Sequence, residues 1–193
     1  MPSRPLPTRI VLTGGPGAGK TVISAAIINR HPDRFVLVPE AATQVYAALQ
    51  TRWDRLDLEG RRDVQRQIYR LQRNQEDRIA AEHPGKTLLL DRGTIDGAAY
   101  WPEGPAAYWV DLGTTHEIEL ARYDMIIWLE TAAALGIYDG DASNDCRFED
   151  PAAAIESGKL LINLWGNHPA FHRVGAQPHL ENKIADIEHL LRS

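Results

Sequence analysis

The sequence predicts an α/β fold in which one parallel β-sheet is covered by helices on both faces. Three observations predict it. Short apolar runs of strand length alternate along the chain with segments of helical period. A glycine-rich segment, Gly14 to Thr21, stands where the first strand hands over to the first helix. The 193 residues suit one domain spanning 1–193 with a sizeable core, and a second would be cramped.

The elements follow in order. The first residues, with Pro2 and Pro5, read as a loose arm. Ile10-Val11-Leu12 is a buried-type strand, and Thr21 to Asn29 a helix stopped near Pro32. Phe35 to Val38 is a second strand, ended by Pro39-Glu40. A long helical region follows, with a break near Leu58 to Gly60. Val64, Ile68, Leu71 and Ile79 keep a helical period within it, and Pro84-Gly85 ends it. Thr87 to Leu90 is a third strand, closed by Asp91-Arg92-Gly93. Residues 101–115, rich in Trp, Tyr, Gly and Pro, read as irregular. A helix over His116 to Arg122 leads into a fourth strand, Met125 to Leu129. Tyr138 to Asp150 is polar and acidic, a mobile loop by composition. Ala152 to Trp165 is helical, Phe171 to Val174 a fifth strand, and Ile184, Ile187 and Leu191 mark one face of a last helix.

Bulk properties exclude several classes. With 21 basic and 26 acidic residues the net charge is −5, which argues against nucleic acid bound on a broad basic face. Cys146 is the only cysteine, so an intrachain disulfide and a Cys-rich metal site are ruled out. No apolar run reaches membrane-spanning length, and Met1 to Pro7 lacks an apolar signal core. A cytoplasmic protein that binds no membrane is the expectation.

Gly14-Gly15-Pro16-Gly17-Ala18-Gly19-Lys20-Thr21 fits G-x-x-x-x-G-K-[ST] without mismatch, in strand-to-helix context. The chemistry requires these residue types. Glycines let N–H groups converge on phosphate oxygens, and the following helix adds unpaired donors and a partial positive charge. Lys20 reaches the β- and γ-phosphates, and the Thr21 hydroxyl is placed to ligate Mg²⁺. ATP is therefore the expected nucleotide, with GTP possible.

In an open α/β sheet the chemistry gathers at the carboxyl ends of the strands. Glu40, Asp91 and Glu130 fall there. Asp91 follows three leucines and precedes Arg92, which makes it the better metal-side acid, with Arg92 as a phosphate-binding guanidinium; Glu130 is the rival. Glu40 is a general base, a second metal-side acid, or a helix-capping acid. Arg147 lies where a closing lid over 136–150 would bring it to the phosphates.

Other patterns carry less. The acidic positions from Asp139 to Asp150 lack the Gly and Glu of a calcium loop. Asn182-Lys183 resembles a guanine-reading motif, but Asp186 comes one residue late. Arg62, Arg66, Arg70 and Arg73 form a stripe that reads as a solvated face. Trp101, Tyr108 and Trp109 read as packing over the sheet edge, with lining a substrate pocket as the alternative, and His168 and His172 as structural.

Arg9 to Gly17, Val38-Pro39-Glu40-Ala41-Ala42, Asp91-Arg92-Gly93-Thr94-Ile95-Asp96-Gly97, Tyr123-Asp124, Arg147, Phe171-His172 and Lys183 together carry a resemblance. Over roughly residues 8–190 the chain resembles the P-loop AAA-type ATPase/kinase-like domain family that includes the ribosylnicotinamide kinase domain of NadR. It is also similar to deoxynucleoside kinases. The resemblance implies a three-layer P-loop kinase-like fold with strand order 2-3-1-4-5 and a lid. It implies Glu40 as base candidate, Asp91 as metal-side acid, and Arg92, Gln65 and Asp96 as substrate contacts. The expected function is a kinase that moves the γ-phosphoryl group of ATP to a hydroxyl of a nucleoside-like or other metabolite. An ATP- or GTP-binding switch, or slow NTPase acting through a protein partner, is the alternative.

Overall fold

The computed structural model of the chain describes residues 9–136 and 151–192. Five strands, β1 Arg9–Thr13, β2 Phe35–Val38, β3 Thr87–Asp91, β4 Met125–Leu129 and β5 Phe171–Val174, form one sheet in the order β2-β3-β1-β4-β5, every pair parallel. The helices between them are α1 Lys20–Arg30, α2 Ala41–Leu49, α3 Leu58–Glu82, α4 Asp96–Ala99, α5 Pro105–Leu112, α6 His116–Leu120, α7 Pro151–Trp165 and α8 Leu180–Leu190.

Strand parity divides the core. Side chains alternate across a strand, so Ile10, Leu12, Leu89, Ile127 and Leu129 face one side, where Ile23 and Ile27 of α1 and Ile184 and Ile187 of α8 cover them. Val11, Val38, Leu88, Leu90, Ile126 and Trp128 face the other, against α3, α5 and α7. The result is three layers, helix on sheet on helix, as the strand–helix alternation predicts. Parity also aims the polar strand ends. Asp91 shares the face of Leu89 and points to α1, whereas Thr13 shares the face of Val11 and points to α4 and α7.

The structure corrects two expectations. The break in the long helical region lies earlier than Leu58: α2 stops at Leu49, a 3-10 turn covers Trp53–Arg55, and α3 begins at Leu58. Asp57 caps α3 by accepting from Gly60 N at 2.8 Å, so the Leu58 to Gly60 stretch is a helix start rather than a breaker. Residues 101–115, read as irregular, contain α5. Pro105 at its first turn and Gly113 in the left-handed conformation after its end start and stop it. Trp101 and Tyr108 are core residues, in edge contact at 5.5 Å between ring centroids.

The remaining expectations about side chains resolve locally. Arg62 and Arg66 pair with Glu59, Asp63, Glu103 and Asp111, tying α3 to α5 across the surface. His168 is buried, its ring between Tyr123 O and Ala170 N, which is a structural role. Asn182-Lys183 lies inside the regular helix α8. None of the described helices is long and apolar enough to cross a membrane.

Candidate active site

The phosphate cradle joins β1 to α1. Gly14 adopts φ 138°, and a Cβ there would stand 2.2 Å from Leu129 O, so only glycine lets β1 turn this closely past β4. Lys20 folds back over the loop, its Nζ donating to Gly14 O at 2.9 Å and Gly15 O at 3.0 Å. The amine is buried. Desolvation, helped by the Arg92 charge, lowers its pKa to about 7 against the opposing pull of Asp91, Glu40 and Asp96.

Thr21 and Asp91 meet at the front of the cradle. Thr21 Oγ1 donates to Asp91 Oδ2 at 2.7 Å. Asp91 is 2% exposed, and its Oδ1 has no hydrogen-bond partner among the described residues. Burial first, then the Glu40 charge, pushes its carboxyl above the usual carboxylate range. A hydroxyl beside a buried carboxylate oxygen that lacks a donor is a donor set that fits Mg²⁺, which takes one or two protein oxygens and fills its octahedron with phosphate and water. No group of three or more His, Cys, Asp or Glu that could hold a metal occurs among the described residues. Glu130, the rival, turns elsewhere: its Oε2 accepts from Ala176 N at 2.9 Å beyond β5.

Beside this site stands a second charged group. Glu40 occupies the position before α2, yet its carboxylate makes no capping bond. Instead Oε1 accepts from Arg92 Nε at 2.6 Å and Oε2 from Thr43 Oγ1 at 2.8 Å. Of the three readings of Glu40, helix capping is the one its side chain does not take up; base and second metal-side acid both remain open to a carboxylate held by Arg92 and Thr43. Arg92 has φ 76°, in the left-handed region that non-glycine residues rarely enter. That turn carries its buried guanidinium across to Glu40 and to Asp96 Oδ1, at 3.1 Å. Backbone strain held by surrounding contacts is common where geometry serves chemistry.

Asp96, expected as a substrate contact, lines the cleft and is held by several donors. Oδ1 accepts from Thr13 Oγ1 at 2.7 Å and from Arg92; Oδ2 accepts from Gly93 N and Trp165 Nε1, each at 3.2 Å. Four donors use the carboxylate's acceptor sites. The residue fixes Arg92 and joins the end of β1 to α7.

A cleft of about 360 Å³, mouth included, opens between α3 and the 92–108 segment. Glu40 and Arg92 stand at one end of it; Gln65, Tyr69 and Gln72 of α3 line its side, with Tyr100 and Tyr108 opposite. Gln65 is 2% exposed, and among the described residues no hydrogen bond holds its amide. Gln72 is oriented from below: its Nε2 donates to Glu76 Oε1 at 3.1 Å and to Arg92 O at 3.2 Å, which leaves Oε1 as its free end. Glycine is required once more, at Gly97, where a Cβ would come within 2.4 Å of Tyr108 Oη.

Thus Gly14 to Thr21, Asp91, Glu40, Arg92, Asp96 and Gln65 gather at the carboxyl end of the sheet, as expected. Arg147 and all of the lid expected over 136–150 except its first residue lie outside the described residues. The sequence reading missed Thr13, Tyr69, Gln72, Tyr100 and Trp165; Tyr108, read chiefly as packing, both packs in the core and lines the cleft. One pattern points to part of this set: Gln65, Tyr69 and Gln72 recur at i, i+4 and i+7, a polar stripe on the buried face of α3. The others meet the site only through tertiary packing.

With this geometry in place, similarity to known proteins becomes informative. Residues 9–177 match a family model described as an AAA domain. The chain belongs to this AAA-domain family. The match does not single out the ribosylnicotinamide kinase domain within the wider resemblance. No curated protein matches the chain. Among solved structures, that of deoxyadenosine kinase from M. mycoides with bound dATP superposes with a TM-score of 0.65 at 17% identity, covering 96% of this chain and 100% of that one. At such identity the likeness concerns the fold, and the strand order 2-3-1-4-5 is the P-loop kinase-like one. The AAA-domain chain is a P-loop nucleotide-binding protein with a kinase-like core.

Proposed function

We propose that this AAA-domain protein is a Mg-ATP-dependent kinase that phosphorylates a hydroxyl of an uncharged, nucleoside-like metabolite. The observation that carries the reading is the cleft beside the Glu40–Arg92 pair, lined by α3 and the 92–108 segment. A nucleotide switch needs no second pocket beside the γ-phosphate, whereas a kinase does.

Each part has a task. The cradle and Lys20 hold the phosphates of ATP, or of GTP if the base is not discriminated. Thr21 and Asp91 would hold Mg²⁺, which would supply charge neutralisation on the phosphates of the bound nucleotide. Glu40 accepts the proton of the acceptor hydroxyl as its oxygen bonds to the γ-phosphorus and the bond to ADP breaks. Arg92, fixed by Asp96, faces the transferred group, and Arg147 is placed by sequence to join it from a lid. The acceptor is uncharged because Arg92 is the only cation among the described lining residues, and it already faces two carboxylates. Gln65 and Gln72 offer amide donors and acceptors, and Tyr69, Tyr100 and Tyr108 offer flat apolar area, which together suit a heterocycle bearing a sugar.

A screen of nucleosides and other hydroxyl metabolites, reading ADP release and phosphorylated product by mass spectrometry, tests this. Once an acceptor is found, Glu40→Gln is expected to lower its turnover by about 10²–10⁴ with little change in Mg-ATP affinity. Unchanged turnover passes the role of base to Asp91. A broad screen without product, together with a protein partner that binds only the ATP- or GTP-loaded form, would replace the kinase with a switch.

A further inference from the structure

The carbonyl groups of the phosphate cradle are held from outside the loop. Pro16 O accepts from Thr131 Oγ1 at 2.6 Å, Gly17 O from Ala132 N at 3.3 Å, and Ala18 O from Lys183 Nζ at 3.0 Å. Gly19 O accepts from Ile23 N at 2.9 Å, the first bond of α1. The other three donors come from the turn that follows β4 and from α8, remote in sequence.

Peptide geometry gives these bonds a consequence. In a trans peptide the C=O and the following N–H point in opposite directions. A donor that fixes the carbonyl of Pro16 or Ala18 thereby aims the N–H of Gly17 or Gly19 the other way. Among the described residues the N–H groups of Gly17, Ala18 and Gly19 take no protein acceptor. They are the donors a phosphate would meet.

Lys183 is an unusual residue to find here. It is 4% exposed, and its ammonium donates to two main-chain carbonyls, Ala18 O and Glu130 O, the latter at 2.6 Å. Burial lowers its pKa to about 8, with the Glu130 charge opposing. An apolar side chain of the same length would pack under α8 without that desolvation cost. Leu180, one turn earlier, rests its Cδ1 against Gly19, so α8 as a whole backs the cradle.

We propose that Lys183 and Thr131 are positioning residues of the nucleotide site, locking the Ala18–Gly19 and Pro16–Gly17 peptides so that the Gly19 and Gly17 N–H groups meet the phosphates of a nucleoside di- or triphosphate. This rests on the P-loop's binding a nucleotide and is independent of which acceptor is phosphorylated.

The test uses the full chain and Mg-ADP. Calorimetry compares the wild type with Lys183→Met and Thr131→Val, and ¹⁵N spectra follow the two glycine amides. Loss of a hydrogen bond from a charged donor corresponds to an affinity loss of about tenfold to a hundredfold for Lys183→Met, and of a neutral one to about tenfold or less for Thr131→Val. In the wild type, Mg-ADP shifts both the Gly17 and Gly19 amide resonances. Lys183→Met is expected to lose the Gly19 shift and keep the Gly17 shift, and Thr131→Val the reverse. A merely structural role would not divide the two amides in this way. Should Lys183→Met fail to fold, the near-isosteric Thr131→Val still decides: wild-type affinity with an unaltered Gly17 shift overturns the proposal. So does Lys183→Met that folds and binds within twofold of the wild type. A wild-type chain that does not bind Mg-ADP would overturn the nucleotide reading itself, and the proposal with it.

Discussion

Lys20 and Asp91 are both drawn toward their neutral forms, with burial as the leading cause. For Lys20 this has a measurable sign. Its amine titrates at about 7 in the free protein, and phosphate oxygens beside it favour the ammonium. At pH 8, where the free amine is mostly neutral, Mg-ADP binding should therefore take up a proton, and affinity should fall as pH rises above 7. Calorimetry at pH 8 in buffers of different ionisation enthalpy reads that uptake, which Lys20→Met should abolish along with most of the affinity. Asp96 sits at the opposite extreme, a carboxylate whose four partners leave no acceptor site open. Asp96→Asn turns an amide N–H₂ toward existing donors, so we expect a stability loss of about 2–4 kcal/mol, read by urea denaturation. A loss under about 0.5 kcal/mol would mean that the site relaxes at once, leaving Asp96 free to serve as the substrate contact its sequence position implies.

At the scale of elements, the wall between α4 and α5 is the tightest contact around the cleft. A methyl group at position 97 collides with Tyr108 Oη at 2.4 Å and would still stand 2.9 Å from its Cζ. Gly97→Ala should destabilise by about 1–3 kcal/mol through overpacking. Tyr108→Phe alone loses the bond to Thr94 O, 3.0 Å long, at about 1 kcal/mol. Because the phenol is what the new methyl meets, the double variant should be less destabilised than the two losses combined. Full additivity in a denaturation cycle would show that backbone movement, rather than the hydroxyl, absorbs the clash. This wall was also the part least legible in the sequence. Residues 101–115 carry no hydrophobic period, and α5 forms because Pro105 and Gly113 bound it and because Tyr108 and Trp101 are buried together. Local pattern is silent where packing decides. The strands, by contrast, were legible to within a residue, since a sheet covered on both faces leaves continuous apolar runs.

At the scale of the whole molecule, the cradle, Asp91, Glu40 and Arg92 were legible because strand ends are where an α/β sheet gathers its polar groups. What stayed hidden were partners joined across the layers: Thr13 with Asp96, Trp165 with Asp96, Lys183 with Ala18. Each is an ordinary residue until folding brings it to its counterpart, and no spacing announces that. The sheet faces themselves have a further consequence. Side-chain parity directs Asp91 toward α1 and Thr13 toward Asp96 of α4, so the Thr21–Asp91 pair and the support of the Glu40–Arg92 pair reach the carboxyl edge of the sheet from opposite faces. Under the proposed kinase reading, such a partition makes acceptor choice an interchangeable part. Replacing Gln65 and Gln72 together with leucine should change which acceptor is turned over while leaving the Mg-ADP dissociation constant within about threefold, since both side chains line the cleft and the cradle residues do not. On that reading, one helix face could be rewritten for a new acceptor while the grip on the phosphate donor stays as it is.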